Sequence, residues 1–479
     1  MPLLLFFMAG CTVGPDFVRP QPPAVESYAE GGDPAATVPA DGQAQHFGQG
    51  EKVPADWWRL FGSPAMDAVI NEALAKNPDL QAAQAGLRQS QESLRAGFGV
   101  FYPQVDVGLD VTRQKFSPAR LGGSSESSIF NLYTLSAAVS YSLDVFGGSR
   151  RAVEGLQARV DLQRSTVLAA YLALTGNIAN TTIAQAAYYD QIAAVEQITG
   201  LLREQIRIAE IQARTGTAAY SKVLNIRSQL AAAEAVLPPL KQRLDQARHL
   251  LATLTGRAPA EWSSPKLSLS DLMLPEDLPV TVPSELVRQR PDILAAEASL
   301  HSSSAAIGVA TSALYPNFTL SGAYGLNNSS TKDLFEHASS FWSLGADLTA
   351  PLFHGGALWY QRKAAIEGYR QSLANYRQTV LSGLAQVADT LRALEHDAES
   401  LQAQSGALDA SEQALRLVQA NYEAGVTDYL QVLITDDQYL RAKLGHLQAR
   451  AQRLQDTVAF FVALGGGWRE AESKVLTGE

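Results

Sequence analysis

Four short stretches of the chain alternate apolar and polar side chains with a period of two. In 104–112, Val105, Val107, Leu109 and Val111 oppose Gln104, Asp106, Gly108, Asp110 and Thr112. In 133–145, Leu135, Ala137, Val139, Tyr141, Leu143 and Val145 oppose Ser136, Ala138, Ser140, Ser142 and Asp144. The pattern returns in 317–327 around Phe318, Leu320, Tyr324 and Leu326, and in 341–352 around Trp342, Leu344, Ala346, Leu348 and Leu352. Such alternation predicts strands with one apolar face. Elsewhere the period is helical. Residues 64–76 and 79–98 read as short amphipathic helices. Residues 150–214 contain no proline and 357–423 are their twin, so each predicts an unbroken helix of about 65 residues and roughly 95 Å. Val387, Leu394, Leu401, Leu408, Leu415 and Tyr422 recur every seven residues, as do Leu433, Leu440, Leu447, Leu454 and Phe461. Sustained heptads predict left-handed coiling of neighbouring helices. Pro238-Pro239 predicts a kink in the helix after the first reversal.

These elements come in the same order twice. Asn77-Pro78-Asp79 returns as Arg290-Pro291-Asp292 and Tyr102-Pro103 as Tyr315-Pro316, both 213 residues on. The Gly216 turn returns at Gly425 and Thr255-Gly256 at Leu464-Gly465, both 209 residues on. A repeat of about 210 residues is too long for a solenoid unit and reads as a tandem duplication. The predicted organisation is a signal peptide (1–10), an N-terminal tether (11–63), a first repeat (64–260), a linker (261–283), a second repeat (284–466) and a tail (467–479). Proline-rich residues 12–56 are expected to be extended and unpacked. Trp57-Trp58 and Phe61 are expected to clip the tether to the body. In each repeat the pre-strand and post-turn helices together match the length of the long helix, which predicts a cylinder wall alternating one continuous helix with a stacked pair.

The strand pairs have the length, alternation and terminal aromatics of outer-membrane strands (Tyr102, Tyr133, Tyr315, Trp342). A soluble sheet with one wet face is the alternative. Open strand edges are not tolerated in lipid, so four strands need partners from other chains. Two chains would give about eight strands and no pore, and three would give about twelve.

Composition narrows the chemistry. Formal net charge is −10 with no basic stripe, which excludes a nucleic-acid binder. No run of 18 apolar residues is visible, so no membrane-spanning helix is expected. Leu3 to Gly10 followed by Cys11, the only cysteine, reads as a lipoprotein signal, with a chance cysteine in an apolar leader as the alternative. Lipid on Cys11 is then the only covalent group expected. Thr12 follows, where Asp would mark inner-membrane retention. Nucleophile, phosphate-loop and zinc-protease motifs are absent, and the seven His are scattered. No enzyme, metal or cofactor is expected, and His354 reads as a corner residue.

Cys11-Thr12-Val13-Gly14-Pro15-Asp16-Phe17, Trp57-Trp58 with Phe61 and Pro64, the doubled Asn/Arg-Pro-Asp and Tyr-Pro motifs, the Phe-Gly-Gly corners and the paired glycine turns together carry a resemblance. The chain resembles the TolC-like outer-membrane factors, in the NodT-type lipoprotein branch that serves resistance–nodulation–division efflux pumps. The resemblance implies an α+β membrane protein: a homotrimer whose 12-stranded β-barrel, four strands per chain, continues as a long α-helical coiled-coil barrel into the periplasm. It implies that Thr215, Gly216, Thr217, Ala424, Gly425 and Val426 contact a periplasmic adaptor, which joins an inner-membrane transporter. Family members place a carboxylate ring just past the second turn. The aligned residue here is Ile434, which leaves Asp436 or Asp437, with Asp428 nearby, to supply a gate or selectivity ring. A plain exposed helix charge is the alternative. The expected role is a passive export duct. A type I protein secretion duct, a trimeric coiled-coil structural protein and a soluble helical enzyme are the other classes.

Overall fold

The computed structural model describes residues 12–117, 126–468 and 476. Cys11 lies outside the described residues. In chain order the elements are β1 (His46–Gln49), α1 (Pro64–Lys76), α2 (Pro78–Gly97), β2 (Gln104–Phe116), β3 (Ser128–Leu143), α3 (Gly148–Arg214), α4 (Tyr220–Leu254), β4 (Asp277–Val280), α5 (Pro283–Leu286), α6 (Pro291–Ser312), β5 (Asn317–Asn328), β6 (Ser340–Thr349), α7 (Ala357–Glu423) and α8 (Tyr429–Ala463). The chain is mixed helix and strand, and mostly helix. It divides into two compact units.

The first unit comprises Met1–Pro20, Arg88–Leu162 and Ala296–Tyr376. Its centre is one antiparallel sheet in the order β2-β3-β5-β6. The register brings Leu109 opposite Leu135, and Leu135 opposite Leu326. Val107, Ala137, Tyr324 and Trp342 form the next row on that face. Asp110, Thr134 and Asn327 form a row on the other face. The alternation seen in sequence therefore aligns across all four strands. Three strand ends differ from expectation by several residues. β2 runs on to Phe116 and β3 begins at Ser128, because Arg113, Gln114 and Lys115 continue the ladder opposite Asn131, Phe130 and Ile129. Backbone pairing does not need apolar side chains. β6 stops at Thr349, ahead of Pro351, which has no N–H to give.

Residues 12–20 belong to this unit and are not the loose tether the prolines predicted. The Val13 N–H donates to the Phe146 carbonyl at 3.1 Å. Arg151 donates to the Val13 carbonyl (3.3 Å), to Asp16 (2.6 Å) and to Glu154 (2.7 Å). Phe17 stacks on His301 with ring centroids 4.3 Å apart. Arg19 pairs with Glu297 at 2.7 Å. A side chain at Gly14, where φ is 93°, would meet the Gly308 backbone at 2.5 Å.

The second unit comprises Gln21–Leu87, Gln163–Ala295 and Arg377–Glu479. Here β1 pairs in parallel with β4. Arg453 of α8, 1% exposed, gathers the preceding strap through Thr37 Oγ1 (3.1 Å), Gln45 Oε1 (3.1 Å) and the Gln43 carbonyl (3.3 Å). Trp57 and Phe61 are fully buried, and Trp57 stacks on Phe461 of α8 at 5.4 Å. The clip read from these aromatics is present, and it is continuous with a packed strap.

The doubled motifs have one structural job. Asn77 caps α2, accepting the Leu80 N–H at 2.9 Å, while its amide donates to the Leu254 carbonyl at the end of α4. Arg290 precedes α6 and donates to the Ala463 carbonyl at the end of α8, at 2.8 Å. Each motif thus ties the start of one helix to orphan carbonyls at the end of another. Gly256 makes room for the first tie, since a side chain there would meet the Lys76 carbonyl at 2.5 Å.

α3 and α7 each run unbroken for 67 residues, about 100 Å at 1.5 Å per residue. The most apolar 18-residue window of α3 is long and apolar enough to cross a membrane, yet 67% of it is buried within the protein. α4 runs on as one helix through Pro238 and Pro239, the site of the expected kink. Both prolines lie on its exposed face, where water can hydrate the carbonyls that lose their partners.

Asp397 of α7 hydrogen-bonds to Asp456 of α8, and burial together with that second carboxyl pushes it up to about 8. The folded chain therefore keeps a proton that the unfolded chain releases near pH 4. The contribution of this pair to stability is expected to be full at or below the ordinary carboxylate range, to fall as pH rises to about 8, and then to level off. Thermal unfolding of the detergent-purified protein from pH 4 to 9 measures this. Asp397→Asn is expected to flatten the slope, and an unchanged slope would discount the pair.

Candidate functional site

The turn and gate residues singled out from sequence lie where α3 reverses into α4 and α7 into α8, within the second unit. The two reversals share one geometry. Gly216 and Gly425 have φ of 77° and 74°, a conformation glycine reaches without strain. The Thr217 N–H donates to the Gln212 carbonyl and the Val426 N–H to the Asn421 carbonyl, both at 2.8 Å. These bonds satisfy the last carbonyls of each long helix and close it as a Schellman turn. No atom lies within 4 Å of the position a Cβ would take at either glycine. Packing therefore does not demand these glycines, and the backbone conformation does. Val426 is exposed, and Thr215 and Thr217 hydroxyls lie 3.1 Å apart on the surface.

A contact absent from the sequence reading joins the two reversals. Lys222 of α4 donates to Gln212 Oε1 (3.0 Å) and to the Tyr422 hydroxyl (2.5 Å). Its ammonium lies 4.9 Å from the Tyr422 ring centre and 4.4 Å from that of Tyr429. The two rings meet edge-on at 5.2 Å. A cation between aromatic faces contributes about 0.5–2 kcal/mol. Four helices are linked here through one amine.

The three acids of the predicted gate have different surroundings. Asp428 is the N-cap of α8 and accepts the Gln431 N–H at 3.1 Å. Asp437 pairs with Arg441 at 2.9 Å. It lines a groove of about 570 Å³ with Leu430, Ile434, Asn225 and Gln229. Asp436, 4% exposed, turns into the protein instead. It lines a cavity of about 330 Å³ with Ile198, Leu202, Leu440 and Leu444, whose wall also carries Gln229, Asp437 and Arg441. Burial pushes it up to about 6, against a hydrogen bond from Gln205 that lowers it. The heptad held the signal that separates the two. Leu433 and Leu440 mark one seam of α8, and Asp436 stands three residues after the first and four before the second, on the same face. Among the described residues no group of three His, Cys, Asp or Glu could hold a metal ion.

The profile of the outer membrane efflux protein family matches residues 69–257 and 282–466. The chain belongs to the outer membrane efflux protein family. This efflux protein is 30% identical over 436 residues to the pyoverdine export outer membrane protein OpmQ of Pseudomonas putida, covering 90% of this chain and 92% of that one. It is 26% identical over 469 residues to the probable outer membrane lipoprotein SilC of Salmonella typhimurium, covering 97% and 98%. The solved outer-membrane channel OprN superposes with a TM-score of 0.85 at 26% identity, over 96% of this chain and 100% of that one. The efflux protein is an outer-membrane channel of the Gram-negative envelope. The apolar face of its sheet is open, with Val107, Leu109 and Leu344 all above 65% exposed.

Proposed function

We propose that three copies of the efflux protein close their sheets into a 12-stranded barrel, and that their long helices continue it as a duct through the periplasm. The duct conducts passively, receiving substrates from a periplasmic adaptor and an inner-membrane transporter of the resistance–nodulation–division type. One observation carries this reading. A four-stranded sheet with an apolar lipid face has two unpaired edges, β2 and β6, and neither can remain open in a bilayer. A neighbouring β2 against β6 satisfies both.

In this arrangement Thr215, Gly216, Thr217, Ala424, Gly425 and Val426 form the docking surface for the adaptor. Asp437 supplies the selectivity ring, since it stands on a groove while Asp436 is packed away and Asp428 caps its helix. Cys11 carries the acyl chains, a reading supported by the lipoprotein name of SilC. Two or more chains give stable anchoring, at about 0.8 kcal/mol per buried methylene. OpmQ is named for pyoverdine export and SepC of Pseudomonas putida as a probable efflux pump protein, which favours efflux over protein secretion.

Single-channel recording in planar bilayers tests the duct. The wild type is expected to give small cation-selective currents, and Asp437→Asn is expected to reduce that selectivity several-fold. Silence from protein confirmed to be inserted would overturn the duct reading. Unchanged selectivity in the variant would remove Asp437 from it.

A further inference from the structure

Asp436 is the one acid of the reversal region that is enclosed by apolar side chains, and nothing in the duct reading uses it. It packs into a cluster built from Ile198, Leu202, Ala233 and Leu440, contributed by α3, α4 and α8. A carboxylate in such a place loses its hydration, and only a neutral carboxyl sits there without a large cost.

Arg441 shares the cavity wall but is paired with Asp437, and the other groups around Asp436 supply no countercharge. From α3 comes the neutral Gln205, while Glu204 and Arg207 pair with each other in solvent. Arg203 of α3 is held by Glu234 of α4 at 2.7 Å. Lys222 of α4 is held by Gln212, Tyr422 and the two rings. Gln229 of α4 donates to the Leu433 carbonyl at 2.7 Å. From α7, Glu412 and Arg416 pair with each other. Along α8, Asp437 is engaged with Arg441, and Tyr429 donates to Gln205. One amide therefore serves two masters. Gln205 binds the acid on one side and, through Tyr429, reaches the Lys222 cage that joins both reversals on the other.

We propose that Asp436 is a proton-operated latch of the helix reversals. Neutral, it lets α8 pack against α3 and α4 with Gln205 and Tyr429 in place. Ionised, it loosens that packing and frees the second reversal around Gly425. Acid in the periplasm thus tightens the reversals and neutral pH relaxes them. The proposal rests on the reversals being the gated end of the duct, but its physical core does not.

Hydrogen exchange of the intact detergent-purified protein tests it, read on amides 425–440 and corrected for the intrinsic pH dependence of exchange. Opening is expected to rise up to about tenfold per pH unit from the ordinary carboxylate range to about 6, and to level off above it. Asp436→Asn, a close match to the neutral acid, is expected to stay protected at every pH, whereas Asp437→Asn keeps the step. Gln205→Leu removes the group that favours the ionised form, so its step is expected to extend to higher pH. A step that survives Asp436→Asn, or one that Gln205→Leu leaves unmoved, would overturn the latch. Because exchange does not pass through conduction, silent bilayers beside an intact exchange step would indict the duct reading and leave the latch standing.

Discussion

Arginine in place of Leu109 is expected to abolish outer-membrane assembly, while arginine in place of its neighbour Asp110 leaves assembly intact. Leu109 stands in the middle of β2, in a row with Leu135 and Leu326, on the apolar face that the proposed barrel turns to lipid. A guanidinium near the bilayer midplane costs about 2–4 kcal/mol per chain, and a ring of identical copies incurs it in every copy. Asp110 points the other way, in a row with Thr134 and Asn327, where charge is solvated. Membrane fractionation and the heat-modifiable mobility of the assembled protein measure the contrast. Equal assembly of the two variants would mean that the apolar rows do not face lipid.

The second large effect is expected at Trp57. Truncation to alanine should destabilise the second unit by about 3–5 kcal/mol, the range for emptying a buried aromatic site. Trp57 is completely enclosed, stacked on Phe461 and edge-on to Trp58 (5.9 Å) and Phe61 (6.4 Å). Its Nε1 has no hydrogen-bond partner among the described residues. Trp57→Phe removes that unsatisfied donor and keeps a ring, so it is expected to cost much less than Trp57→Ala. Thermal unfolding, with limited proteolysis of residues 21–56 as a second readout, ranks the two. An alanine variant that melts with the wild type would show that the strap, and not the aromatic cluster, holds this unit together.

The sheet was legible because its signal is local and redundant. Four strands alternate, and each copy of the duplication repeats the other. The reversals were legible for the same reason, since Gly216 and Gly425 sit at matching points of the two copies. The strap was not. Its order depends on Asp277–Val280 and on Arg453, which lie hundreds of residues away, while its prolines argue locally for an unpacked chain. Pro238-Pro239 read as a kink, and the helix continues through them. Proline is costly inside a helix when its missing bonds are buried, and here they face water. Asp436 and Asp437 are indistinguishable as residue types, and only the heptad phase separates a core acid from a groove acid. The lysine held by Tyr422 and Tyr429 had no sequence signal, because its partners come from three helices.

The two unpaired edges of the sheet also bear on how the channel is made. A single protomer exposes one β2 edge and one β6 edge, and so does any string of protomers joined edge to edge. Incomplete assemblies gain no relief at their ends, so only ring closure removes the exposed backbone. Assembly is then expected to be cooperative, with intermediates that are short-lived and prone to aggregate. Inheritance follows from this geometry. One protomer with a spoiled edge breaks the ring it joins, so in the proposed trimer a cell making both healthy and damaged chains keeps only the cube of its healthy fraction as working channels.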